Sequence, residues 1–113
     1  MLIRKTKTFQ RKLRKLPPSV REEIQLNIKR FTESPEEPPD DLSASSYGRN
    51  NKSIKKKYGR VMRFKPHKDY RIIYTVSVVD KTTHEKALNF VFIGHRKDIY
   101  VDFEKTMPDM PKA

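Results

Sequence analysis

The 113-residue chain contains no cysteine. This removes disulfide staples, thiolate catalysis and sulfur-ligated zinc together, and it fits a reducing compartment. No apolar run approaches the roughly 20 residues that span a bilayer. The N-terminus MLIRKTKTFQRKLRKL is cationic but lacks the apolar stretch of a secretory signal. A soluble, cytoplasmic protein without a membrane partner is expected. No glycine-rich phosphate loop is present, and no spacing of acids and histidines suits zinc or calcium, so no metal or cofactor is expected. Apolar residues are only 35% of the chain, which leaves one modest core with loop around it. Residues 1–113 therefore read as a single domain.

Positive charge is what the chain has in excess. The net charge is +12, with lysine and arginine concentrated in residues 4–15 and 49–71 and acids gathered in ESPEEPPDD. Such an excess repels itself and calls for a polyanionic or acidic partner. Nucleic acid comes first and an acidic protein second. An anionic membrane surface comes third, because no basic amphipathic helix with a broad apolar face is visible.

Along the chain, LIRKTKT (residues 2–8) reads as a short strand and FQRKLRKL as a first helix with Phe9, Leu13 and Leu16 on one face. A second helix follows in PPSVREEIQLNIKRF. Its prolines suit the first turn, Ser19 and Glu22 have capping-box spacing, and Val20, Ile24, Ile28 and Phe31 form one apolar stripe. Residues 34–57 carry proline, serine and asparagine with no sustained period and read as a long loop.

From Tyr58 the period becomes two. Met62 and Phe64 share one parity, and Val61, Arg63 and Lys65 the other. In YRIIYTVSVV, Tyr70, Ile72, Tyr74, Val76 and Val78 alternate with Arg71, Ile73, Thr75 and Ser77. ALNFVFIG is apolar on both parities and reads as an interior strand. Residues after Phe103, the 104–113 tail, are expected to fray. The order β-α-α-β-β-β predicts an α+β fold, an antiparallel-dominated sheet with two N-terminal helices packed on one face. The helices take the Tyr70 side. The other side is expected to be open and half-polar, with Arg63, Lys65 and Arg71 close enough to need an anion between them.

In YRIIY, in FVFIGHRKDIY, in their spacing, and in the helix pair FQRKLRKLPPSVREEIQLNIKRF ahead of three strands, the chain resembles the RelE family of toxins, within the wider RelE/ParE superfamily. The likeness covers residues 2–33 and 58–100. The loop at 34–57 is longer than such toxins usually have. The resemblance implies a ribosome-dependent, metal-independent mRNA endonuclease that is neutralised by a cognate acidic antitoxin. Cleavage in that family proceeds by attack of the ribose 2′-hydroxyl on the adjacent phosphate, leaving a 2′,3′-cyclic phosphate and a 5′-hydroxyl. It implies Arg71 on the scissile phosphate, where a planar fork suits bidentate contact. Arg96 would be a second catalytic arginine and Tyr100 the substrate-orienting tyrosine, with Arg63 and Lys65 as a basic pair. An arginine is a poor general base, so that duty falls to Lys65 or to His95. Lys55, Lys56, Lys57 and Arg60 would add attraction for RNA phosphates, in the message or the ribosome. Two other readings use the same residues: a non-catalytic basic RNA- or DNA-binding module, and a DNA gyrase inhibitor of the ParE branch. His67 and His84 fall in turns and are assigned no role.

Overall fold

The computed structural model describes residues 2–33, 40–41 and 51–110. The fold is mixed α+β, with the two N-terminal helices on one face of a largely antiparallel sheet. Strand β1 (Leu2–Lys5) leads into helix α1 (Lys7–Arg14). The expected strand over 2–8 ends early because Thr6 caps the helix. Its hydroxyl accepts from the Phe9 amide at 3.0 Å and donates to the Val91 carbonyl at 2.6 Å, so one buried side chain joins helix to sheet. Helix α2 (Pro18–Glu33) starts with Pro18 in its first turn. The Pro17 carbonyl accepts from the Arg21 amide, which puts Ser19 inside that turn, so the expected Ser19–Glu22 capping box is not the cap.

The sheet order is β1-β5-β4-β3-β2, with β2 (Asp40–Asp41), β3 (Met62–Phe64), β4 (Tyr70–Asp80) and β5 (Glu85–His95). β1 runs parallel to β5 and the other pairs are antiparallel. β5 is an interior strand, buried on both faces from Ala87 to Ile93. The β4–β5 register slips between Ile73 and Tyr74: Ile73 faces Phe92 while Tyr74 faces Phe90. That bulge lets Val91 and Phe92 both join one core while Phe90 and Ile93 join the other.

On the first face, Phe9, Leu13, Ile24 and Ile28 pack against Met62, Ile72, Tyr74 and Phe90. Phe31 stacks on Phe64 with ring centres 4.3 Å apart. Val76 and Val78, expected under the helices, are exposed. The second face is not open. Helices α3 (Lys52–Tyr58) and α4 (Ile99–Thr106) cover it, and Ile54, Tyr58, Ile99 and Phe103 bury Val61, Ile73, Val91 and Phe92. The stretch expected as loop over 34–57 is therefore helical from Lys52, while residues 34–39 and 42–50 lie outside the described ones.

The tail does not fray at Phe103. α4 runs to Thr106, and Met107 turns left-handed at φ 39° with its amide donating to the Phe103 carbonyl. The next residues dock on α3. The Tyr58 hydroxyl donates to the Pro108 carbonyl at 2.6 Å, and Lys57 donates to the Met107 carbonyl and to Asp109. Residues 111–113 of the expected tail are not among those described. Among the described residues, no helix is long and apolar enough to cross a membrane.

Candidate nucleic-acid interface

The sheet end formed by Lys65–Arg71 and Gly94–Lys97 gathers most of the expected residues. Arg71 is half-buried and does not project freely from an open face. Its Nη1 donates to the carbonyls of His67 at 2.9 Å, Lys68 at 3.1 Å and Tyr70 at 3.0 Å. No described residue bonds its Nε or Nη2. One nitrogen anchors the side chain while the remaining edge of the fork stays available.

Arg71 lines an open cleft of about 340 Å³ with Lys65, Lys68, His67, Glu23 and Asn27. Two lysines and one arginine there face a single carboxylate, so the cleft favours an anion. Arg63 and Arg71 both find neutral acceptors within the protein, so neither guanidinium needs an anion to satisfy its hydrogen bonds, although both keep their charge. Arg63 donates to the Tyr100 hydroxyl at 2.5 Å, linking β3 to the first turn of α4. Lys65 is exposed at the cleft rim.

Arg96 follows the end of β5. Its amide donates to the Asp69 carbonyl at 2.7 Å, and its Nε stands 3.7 Å from the Asp69 carboxylate. Both side chains reach solvent, and an exposed pair of this kind is worth about 0–1 kcal/mol, so exchanging Asp69 for a phosphate costs Arg96 little. Gly94 is what lets α4 approach. A Cβ there would sit 3.3 Å from Ile99 side-chain carbons.

His95 lies at the same sheet end but on the opposite strand parity from Arg63 and Arg71. It pairs in register with Tyr70, whose ring packs on the α1/α2 core, and it lines a second hollow with Lys12, Lys15, Leu16, Asp98 and Asp102. Its Nδ1 accepts from the Lys97 amide. Strand parity turns it away from Arg63 and Tyr100, which removes it as a partner for them.

Lys55, Lys56 and Lys57 are exposed on α3, and basic residues in a helix's last turn suit its dipole. Lys57 is committed to Asp109 at 3.2 Å, and Arg60 is exposed just past the helix. Beside them, burial and the nearby Asp109 carboxylate push the Tyr58 phenol well above its ordinary value.

The structure adds a residue that the turn position of His67 did not suggest. Its Nδ1 accepts from the Asp69 amide, so the ring proton sits on Nε2, 3.1 Å from Glu23 of α2. Asn27, one turn on, donates to the Pro66 carbonyl at 2.6 Å. The one signal in the sequence was that Glu23 and Asn27 flank the Ile24/Ile28 stripe at a spacing of four. Among the described residues, no group of three or more His, Asp or Glu comes together in a way that would hold a metal ion.

No curated protein and no solved structure matches the chain. Residues 3–100 match the family described as the ParE toxin of the type II toxin-antitoxin system, parDE. The match takes in both N-terminal helices, the sheet from Ile3 onward and the start of α4. The sequence resemblance to the RelE/ParE superfamily holds, a cognate antitoxin is the implied partner, and the chain belongs to the ParE toxin family of type II toxin–antitoxin systems.

Proposed function

We propose that this toxin acts as a ribosome-dependent, metal-independent mRNA endonuclease in the cytoplasm. The observation that carries the reading is Arg71. A guanidinium fixed by three carbonyls on one nitrogen, in a side chain that lines a cationic cleft, is preorganised for a phosphate. In this reading the message enters at the Lys65–Arg71 end of the sheet. The neutral amine form of Lys65 accepts the proton of the 2′-oxygen as that oxygen bonds to phosphorus. The bond from phosphorus to the 5′-oxygen breaks, and that oxygen takes a proton from solvent and leaves as a hydroxyl. Arg71 and Arg96 balance the charge that grows on the non-bridging oxygens, and Arg63 holds Tyr100 where a base can stack on it. Lys55, Lys56 and Arg60 add attraction for ribosomal RNA.

A second reading, inhibition of DNA gyrase, is what likeness to the ParE branch implies, and the family match is compatible with it. A third, a basic module that binds nucleic acid without cutting it, differs only in leaving the message intact. Induction in cells, followed by parallel assays of message integrity, translation and supercoiling with purified protein, separates them. The proposal expects translation to stop while supercoiling continues, and it expects Arg71→Ala and Arg96→Ala to relieve the growth arrest. Full arrest by both variants would sink it.

A further inference from the structure

The turn Lys65–Asp69, between β3 and β4, has no backbone hydrogen bond of its own. Among its described residues, the backbone link outside the strands is the Arg96 amide on the Asp69 carbonyl. Side chains therefore hold its shape. Asn27 holds the Pro66 carbonyl at 2.6 Å, and Glu23 holds the His67 ring at 3.1 Å. Within the turn, His67 holds the Asp69 amide at 3.0 Å. This same turn presents the His67 and Lys68 carbonyls that anchor Arg71.

We infer that Asn27 and Glu23 are positioning residues: by latching the 66–69 turn onto α2, they set the orientation of the Arg71 guanidinium. Neither needs to touch a ligand. Asn27 fixes the turn at one point through the Pro66 carbonyl, and the Glu23–His67 bond fixes it one residue later. Two bonds from consecutive turns of one rigid helix define both the position and the tilt of the peptides that Arg71 reads. If either is lost, the two carbonyls drift, the Nη1 anchor loosens, and the open edge of the guanidinium samples several directions. A shift of about 1 Å in such a group is enough to cost on the order of a hundredfold in rate. Exposed ion pairs seldom stabilise a fold much. The Glu23 contact therefore matters here for geometry more than for stability.

The consequence for activity rests on the endonuclease reading above, but the latch itself can be tested without substrate. The probe is the ¹⁵N spectrum of the arginine side chains of the full chain, with the Arg71 signals assigned by their loss in Arg71→Lys. Anchored on one nitrogen, Arg71 should give separate Nη1 and Nη2 signals. Asn27→Asp keeps the side-chain shape and removes the donor, while Glu23→Ala removes the second contact at an exposed site. In both, the two signals should merge while the backbone spectrum of the sheet stays dispersed. Message cleavage should fall roughly tenfold to a hundredfold, in kcat more than in KM. Signals that stay split in a folded Asn27→Asp variant overturn the latch. Should that variant fail to fold, the same result in Glu23→Ala overturns it. Merged signals in the variants of a protein that cuts no message leave the latch standing and remove the endonuclease proposal instead.

Discussion

An arginine held by carbonyl oxygens differs from one held by a carboxylate. Carbonyls orient the guanidinium without cancelling its charge, so Arg71 stays a full cation at a fixed place. Arg96, paired with Asp69 at 3.7 Å, is the contrasting case: a partly neutralised charge that can change partners. Arg71→Lys separates charge from geometry. A lysine keeps the positive charge but has a single nitrogen, which cannot hold the turn and present a fork at once. Measured as the cleavage rate on programmed ribosomes, that substitution should cost on the order of 10²-fold. A loss much smaller than Arg71→Ala gives would show that charge alone suffices. Arg71 stood out in YRIIY because a cation in a run built for burial must find an acceptor. The acceptors themselves could not be read there, since which carbonyls come within reach depends on how the turn is held from α2, some 40 residues earlier.

At the scale of elements, α4 gives the interface its depth. It carries Tyr100 to Arg63, and it packs closely on β5 at Gly94, where an added Cβ would press on Ile99 at 3.3 Å. Gly94→Val should destabilise the fold by about 1–3 kcal/mol through overpacking against Ile99. It should also speed hydrogen exchange in residues 99–106, read by mass spectrometry, while α1 and α2 keep their protection. Uniform protection across both pairs of helices would contradict that. The first pair of helices was legible because each shows an apolar stripe, most clearly Val20, Ile24, Ile28 and Phe31. The second pair was not. α3 offers only Ile54 and Tyr58 among four lysines, and α4, which also carries exposed Val101 and half-buried Tyr100, buries only Ile99 and Phe103. Two core residues four apart are too few to establish a helical period, so the first segment reads as loop and the second as a short ordered stretch that frays after Phe103. The half-polar parity of β3 and β4 then suggested an open face. Yet Val61 and Ile73 on that same parity already required a cover, and two short helices supply it.

Across the whole molecule, the C-terminal segment closes the second core through Tyr58. Its hydroxyl donates to the Pro108 carbonyl, and the phenol titrates above its ordinary value of 10.0 because burial and Asp109 disfavour the anion. A group raised on folding contributes stability that is complete below its unfolded value and is lost as pH climbs past it. Unfolding free energy should therefore begin to fall above about pH 10. Tyr58→Phe should lose about 1 kcal/mol at neutral pH and show a flatter alkaline limb, measured by urea titration at several pH values. An equally steep limb in the variant would place the titrating group elsewhere. The net charge of +12 acts on the same scale. In the endonuclease reading it predicts that any binding to ribosomal RNA weakens steeply as salt rises, whatever the chemistry at Arg71.

The chemical identity of the ends left on a message incubated with ribosomes and this toxin speaks most directly to the endonuclease reading. We expect new fragments bearing a 5′-hydroxyl and a 2′,3′-cyclic phosphate, formed in the presence of a metal chelator and missing with Arg71→Ala. Uncut message under conditions where the same preparation halts gyrase supercoiling would contradict it.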